Sequence, residues 1–215
     1  MIPPLLVSRC QEQALNLVGV VDHNSAANAW AVVEAARDTG IVVKPGLEVE
    51  SRETVHFVCL FDTIEQALDL QGLVYAHLPS LAFAPGASGF GGQFLVDPEG
   101  RFLGHEERAL FAATDLSAEH VVEEAKRRGA LVLAAHAERR AHGLLAVLGF
   151  VPPGLALDGL ESGPGGLSPG RTASSDAHRL AEVGSRYTVF QATGVSVEEL
   201  RATLARGDFR AGLAI

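Results

Sequence analysis

Four of the eight histidines in this chain of 215 residues follow apolar segments that are typical of β-strands. They occur in VVDHN, TVHFV, LAAHAE and SSDAH, and are His23, His56, His136 and His178. Because the carboxyl ends of parallel strands meet at one face of a sheet or barrel, we expect the four imidazoles to converge there. Imidazole is the commonest metal ligand in proteins. Any one of them alone is equally consistent with a hydrogen-bonded core histidine, so the predicted metal site depends on the whole set.

Carboxylates stand where they could complete such a site. Glu48, in the run PGLEVE, follows a predicted strand at residues 41–44, and Pro45-Gly46 is interpreted as a turn that directs Glu48 to the same face. A solvated surface glutamate is the simpler interpretation of Glu48 taken alone. Glu50, two positions on, could take its role.

A second acidic position lies late in the chain. Asp176 and His178 are two residues apart, so in an extended segment both side chains point to the same side and can bind one ion or adjacent ions. Asp22 lies next to His23 and is interpreted as a residue that supports a ligand or caps the strand rather than binding metal.

The hydrophobic pattern alternates short apolar runs with helical periodicity, which predicts an α/β protein with a mainly parallel sheet or barrel. Asp97-Pro98-Glu99-Gly100 is a turn signature between two short apolar runs, and it predicts a hairpin insertion at 93–104. The predicted strands are 17–22, 41–44, 54–61, 130–135, 155–160, 171–175 and 187–192, and the predicted helices include 63–76, 117–128, 144–148 and 196–206. No interdomain linker is visible, so residues 1–215 are expected to form one domain.

Charge and composition exclude several classes of protein. The 17 Lys+Arg and 26 Asp+Glu residues give a net charge of −9, and no long basic run is present, which argues against stable nucleic-acid or membrane binding. Cys10 and Cys59 are too few for a disulfide scaffold and are expected to be reduced thiols. The sequence contains neither a signal-peptide pattern nor an apolar run of membrane-spanning length, so a cytoplasmic protein is expected.

The runs VVDHNSAAN, PGLEVE with VHFVCLF, LAAHAERR and SSDAHRLAEVG resemble, in order and spacing, the PHP (polymerase and histidinol phosphatase) family of metal-dependent phosphoesterases. FGGQ at 90–93 and LGFVP at 148–152 are similar to a bacterial subgroup of stand-alone PHP proteins. The resemblance implies a distorted (β/α)7 barrel with two or three metal ions at the strand ends. It also implies hydrolysis of a phosphomonoester or phosphodiester.

Position by position, the resemblance implies a ligand set for divalent metal ions, whether Mn, Zn, Fe or Mg. Glu48 matches the carboxylate that commonly bridges two ions, and Asp176 and His178 match the last pair of ligands. The full implied metal set is His23, Glu48, His56, His136, Asp176 and His178. His23, Glu48, Asp176 and Arg139 are the residues expected to take part in catalysis.

One departure from the family concerns the start of the sequence. The family begins with a strand carrying Asp-x-His-x-His, whereas this chain contains no His-x-His and residues 1–17 look like the helix that follows that strand. We therefore expect a barrel without its first strand, with residues 17–22 at an open edge that could pair into a homodimer. Two explanations stay open: a shortened version of a complete enzyme, or a protein that has lost part of its metal cluster.

The leading hypothesis is a metal-dependent phosphoric ester hydrolase that acts on a small phosphorylated substrate through a metal-activated water. Arg139 or Arg140 could contact the phosphate, because a guanidinium matches two phosphate oxygens. A surface residue is the simpler interpretation of each of these arginines, and of His142 beside them. The alternative function is that of a non-catalytic, degenerate PHP-like module that binds metal or phosphate and has a regulatory role.

Overall fold

The computed structural model describes residues 1–81 and 92–214. No helix in this part of the chain is both long enough and apolar enough to cross a membrane. The helices are α1 (Pro3–Glu12), α2 (Ala29–Ala35), α3 (Ile64–Ala76), α4 (Ala118–Arg127), α5 (Leu144–Leu148) and α6 (Val197–Arg206), with a 3₁₀ turn at Leu180–Glu182. The strands are β1 (Leu17–His23), β2 (Val42–Glu50), β3 (His56–Leu60), β4 (Phe94–Val96), β5 (Phe102–His105), β6 (Leu131–Ala134), β7 (Gly159–Leu160), β8 (Arg186–Phe190) and β9 (Phe209–Leu213).

The central sheet is mixed and open, with the strand order β1-β2-β3-β6-β7. β1 pairs with β2, and β6 with β7, in parallel, whereas β3 is antiparallel to both β2 and β6. The expectation of a mainly parallel sheet is wrong at β3, because the loop at 51–55 is too short for the crossover that a parallel pair needs. Within the described ranges the strands form an open sheet with no closed barrel, and β1 lies at its edge.

Helices cover both faces of this sheet. Leu47, Val49 and Phe57 point into a core formed with α3, α4 and α5. Leu131 and Leu133 point to the opposite face and pack against α6. Since neighbouring residues of a strand alternate between faces, Glu48 and Glu50 lie on the face that α6 covers.

β2 runs without interruption through Pro45 and Gly46, which corrects the predicted turn there. Pro45 lacks an N–H but its carbonyl accepts from the Phe61 N–H at 2.9 Å, so the strand stays attached to β3. At Gly46 a Cβ atom would lie 2.2 Å from the carbonyl oxygen of Cys59. Glycine is therefore required by the close approach of β3, and Glu48 lies inside the strand rather than after it.

Local sequence signals account for most element boundaries. Thr63 and Gln66 form a reciprocal capping box at α3, and Ser117 caps α4 as predicted. The hairpin of β4 and β5 confirms the turn signature at Asp97, where Gly100 has φ +81°. The FGGQ run falls partly outside the described residues.

Two predicted strands differ from the structure. The segment at 155–160 forms only the two-residue β7, and the segment at 171–175 forms no strand apart from a bridge between Glu161 and Thr172. A late strand, β9, pairs with β8 and has no counterpart among the predicted elements. Cys10 and Cys59 are free and buried, as expected.

Candidate metal centre

Strand register brings two acidic residues of β2 opposite two histidines. His23, the last residue of β1, is paired with Glu48, and His56, the first residue of β3, is paired with Glu50. His136 follows β6, whose extension is tied to β3 by a bond from the Ala135 N–H to the carbonyl of His56 at 3.1 Å. The ends of β1, β2 and β6 and the start of β3 are therefore neighbours, and the side chains of these residues lie close together.

The carboxylate of Glu48 is the centre of the cluster. Its Oε2 lies 3.2 Å from Nδ1 of His23, and its Oε1 lies 3.2 Å from Nδ1 of His56. Nε2 of His136 lies 3.4 Å from the same Oε1. The structure thus brings together four of the six residues predicted to bind metal.

The unsatisfied nitrogens of the cluster fit a metal ion. Both ring nitrogens of His56 and of His136 are buried and have no hydrogen-bond partner in the described part of the chain, although carboxylate oxygens approach to 3.2–3.5 Å. Buried polar groups are normally hydrogen-bonded. Ligand atoms of His23, Glu48 and His56 lie within 4.8 Å of one another, a spacing that a single ion could bridge.

Glu50 and His142 belong to the cluster as well. Nδ1 of His142 lies 3.3 Å from Oε1 of Glu50, and its ring stacks on that of His56 with centroids 4.2 Å apart. His142 is half-buried in the cluster, so its interpretation as a surface residue is wrong. Glu50 was considered only as a replacement for Glu48, but the structure brings both carboxylates into the cluster because residues i and i+2 of a strand share a face.

Asp176 and His178 lie at the rim of the cluster. The ring of His178 is 6.3 Å from that of His23, and Oδ2 of Asp176 lies 3.4 Å from Nη1 of Arg139. Asp176 has φ +46°, so the segment turns there and is not extended as expected. His178 instead turns its Nδ1 to within 2.9 Å of the Asp176 carbonyl.

Glu161 is a site residue that the sequence analysis did not identify. It is buried, its Oε2 accepts from the backbone N–H of His136 at 3.2 Å, and its carbonyl accepts from the N–H of Ala137 at 2.8 Å. These bonds hold the backbone of His136 at φ +31°, an uncommon conformation for a residue with a side chain. The only sequence signal was a glutamate at the end of a short apolar run, which many surface residues share.

The charges of the cluster are mutually dependent. Burial opposes the charged form of His56, but contacts with Glu48 and Glu50 outweigh it and raise the pKa of His56 to about 9. Burial likewise opposes ionisation of Glu48, yet contacts with His136 and His56 lower the pKa of Glu48 well below its usual range. Burial lowers the pKa of His23, which favours a neutral ring with a free lone pair.

These shifts predict how the stability of the metal-free protein depends on pH. A raised pKa means that His56 contributes stability below its unfolded value of 6.5 and loses that contribution as the pH rises to about 9. The lowered pKa of Glu48 contributes stability above 4.5 and loses it in acid. We expect chelator-treated protein to lose free energy of unfolding between pH 6.5 and 9, measured by urea denaturation, and His56→Gln to lose less.

His120→Gln is the matched control, because this exposed helical histidine lies outside the cluster. It should keep the wild-type pH dependence. An equal decline in His56→Gln and wild type would show that His56 does not carry the effect.

The family model described as PHP-associated (PHP_C) matches residues 170–209, a segment that contains Asp176 and His178. No curated protein matches the chain.

Solved structures match nearly the whole chain. The endonuclease PfuEndoQ from Pyrococcus furiosus has a TM-score of 0.63 and 20% identity, with 98% of this chain and 53% of that chain covered. A Bifidobacterium adolescentis protein assigned as a metal-dependent phosphoesterase has a TM-score of 0.52 and 16% identity, with 96% and 91% covered. At 16–20% identity these matches show a shared fold, and the PHP-associated family model covers residues 170–209 of the chain. The chain spans about half the length of the Endonuclease Q structures, so the resemblance to PfuEndoQ concerns one part of a longer protein.

The comparisons contradict the expectation of a small phosphorylated substrate without nucleic-acid binding. Endonuclease Q in complex with a 27-mer duplex substrate carrying an abasic lesion at the active site matches this chain with a TM-score of 0.64, 20% identity, and 96% and 52% coverage. The expectation relied on the net charge of −9 for the whole chain. Binding of phosphates depends instead on the local surface and on bound ions, which are the largest charges nearby.

Proposed function

We propose that the chain is a metal-dependent hydrolase that cleaves a phosphoester bond. The observation that supports this most directly is the carboxylate of Glu48 within 3.2–3.4 Å of three imidazoles from three other segments. Nitrogen and carboxylate ligands of this kind suit zinc, manganese or iron. His23, Glu48, His56 and His136 would hold the ion, with Asp176 and His178 at its open side.

A divalent ion in this position would lower the pKa of a water molecule and hold phosphate oxygens. The residues themselves would supply the charge and shape around the phosphate. Glu48 stays ionised, because its pKa is lowered, and His23 stays neutral, because burial lowers its pKa. No side-chain nucleophile is needed in this scheme.

Arg139 is proposed to bind the substrate phosphate. Its side chain is half-exposed, lies 3.4 Å from Asp176, and borders a cavity of about 450 Å³ between residues 138–140 and 163–168. Arg140 borders the same cavity. A guanidinium at this distance can exchange the single contact with Asp176 for two bonds to phosphate oxygens.

A phosphodiester bond of a nucleic acid is the more specific candidate for the substrate. The two Endonuclease Q structures match with TM-scores of 0.63 and 0.64, against 0.52 for the protein assigned as a phosphoesterase. The cavity beside Arg139 and Arg140 could accommodate the groups that flank the scissile phosphate.

The test compares hydrolysis of bis(p-nitrophenyl) phosphate and of duplex DNA with one abasic site. We expect activity after addition of Mn²⁺ or Zn²⁺, loss of activity with a chelator, and a strong decrease in His23→Gln but not in His120→Gln. Cleavage of the DNA would support the more specific candidate. Metal binding without hydrolysis of either substrate would contradict the proposed activity and favour a non-catalytic binding module.

A further inference from the structure

The second acidic residue of β2 has its own set of imidazoles. Oε2 of Glu50 lies 3.5 Å from Nε2 of His56, and Oε1 lies 3.3 Å from Nδ1 of His142. Ligand atoms of these three residues lie within 4.8 Å of one another. Glu50 is buried, and no lysine or arginine in the described ranges pairs with it.

His56 lies between the two carboxylates. Its Nδ1 is 3.2 Å from Glu48, and its Nε2 is 3.5 Å from Glu50. Both nitrogens are buried and have no hydrogen-bond partner among the residues that the structure describes. A neutral imidazole has only one nitrogen with a free lone pair. His56 can therefore bind an ion beside Glu48 or an ion beside Glu50, but not both at the same time.

The backbone holds His142 in place at a conformational cost. His142 has φ +66°, in the left-handed region that residues with a Cβ seldom adopt. Its carbonyl accepts from the N–H of His56 at 3.0 Å, and its Nδ1 lies 3.2 Å from the carbonyl of Thr54. A proton on Nδ1 would be donated to that carbonyl, which leaves the lone pair on Nε2 for a metal ion. These contacts fix the position of the imidazole beside Glu50, as the ring partners of a metal ligand commonly do.

We propose that Glu50, His56 and His142 form a second position for a divalent cation, beside the one centred on Glu48. This inference rests on the metal dependence proposed above, and it gives Glu50 a role separate from that of Glu48 and adds His142 as a ligand that the sequence did not indicate. Two nitrogens and one carboxylate form the type of three-residue set that binds zinc with a coordination position left open. Because His56 is shared, one ion binds firmly and the second binds more weakly.

The test is a titration of the metal-free chain with Co²⁺, in which binding is monitored by calorimetry and by visible absorption. Wild type is expected to show a tight step and a weaker one. His142→Gln should lose the step at Glu50 and keep the other, and His23→Gln should do the reverse. The loss should exceed the roughly 10- to 100-fold weakening that partners outside the ligand set cause.

His120→Gln serves as the matched control and should retain both steps, while His56→Gln should weaken both. Circular dichroism of each variant establishes that it is folded. Unchanged binding in His142→Gln, or a single step in wild type that depends on His23 alone, would overturn the second position. Neither outcome depends on hydrolysis, so failure of this inference is distinguishable from failure of the proposed activity.

Discussion

Replacing Glu48 with glutamine is expected to abolish both firm binding of a divalent ion and metal-dependent hydrolysis. Glutamine keeps the shape of the side chain but removes the negative charge that faces His23, His56 and His136. Loss of a central ligand should weaken binding by more than the roughly 10- to 100-fold seen for outer partners. Metal content after dialysis and the rate of phosphodiester hydrolysis measure the two effects.

Glu65→Gln is the matched control, since Glu65 is exposed in the first turn of α3 and lies outside the cluster. It should retain wild-type metal content and activity. Circular dichroism separates loss of metal from loss of folding in Glu48→Gln. A folded Glu48→Gln protein with wild-type metal affinity would show that the ion is held elsewhere.

Replacing Gly46 with alanine is expected to destabilise the protein by about 3 kcal/mol, at the upper end of the usual cost of overpacking. The added Cβ would lie 2.2 Å from the carbonyl oxygen of Cys59, and this backbone atom belongs to the neighbouring strand and cannot move aside alone. Since Glu48 is two residues further along β2, the displacement should also weaken metal binding. Urea denaturation measures the stability.

Gly72→Ala provides a control for which the opposite change in the free energy of unfolding is expected. Gly72 lies within α3, and among the described residues no atom outside the adjoining helix backbone lies within 4 Å of the position of its added Cβ. Alanine there should stabilise the helix by about 0.5–1 kcal/mol. Equal stability of Gly46→Ala and wild type would contradict the close packing of β2 on β3.

Local signals in the sequence predicted the elements that depend on nearby residues. The cap at Ser117 and the hairpin turn at Asp97 follow from the chemistry of a few neighbouring residues. The grouping of His23 and His136 followed from their positions at the carboxyl ends of strands. His56 joins them for another reason, because it begins β3 and β3 runs antiparallel to its neighbours. The roles of these residues in binding stay predictions.

Features that depend on contacts between distant segments could not be predicted in this way. Pro45-Gly46 indicates a turn in isolation, and only the approach of β3 shows why a strand needs glycine there. His142 has polar neighbours, and its place in the cluster depends on the bond between its carbonyl and the N–H of His56. The turn at Asp176 likewise depends on a backbone conformation that its residue type does not indicate.

The short loop at 51–55 was not apparent from the sequence, because the predicted strands at 41–44 and 54–61 leave a longer connection between them. A five-residue connection permits a hairpin and excludes a crossover helix, so the antiparallel pairing of β2 and β3 follows from loop length. That pairing aligns Glu50 with His56. Glu50 therefore enters the cluster through an extension of β2 that the predicted strand at 41–44 did not include.

The most direct test of the central claim is anomalous diffraction at the zinc edge from crystals of the chain soaked in Zn²⁺. The account predicts a peak about 2.0–2.2 Å from a carboxylate oxygen of Glu48 and within bonding distance of at least one of the imidazoles of His23, His56 and His136. Zinc found only at an exposed pair such as His77 and Asp115, whose side chains are 2.6 Å apart, would contradict it.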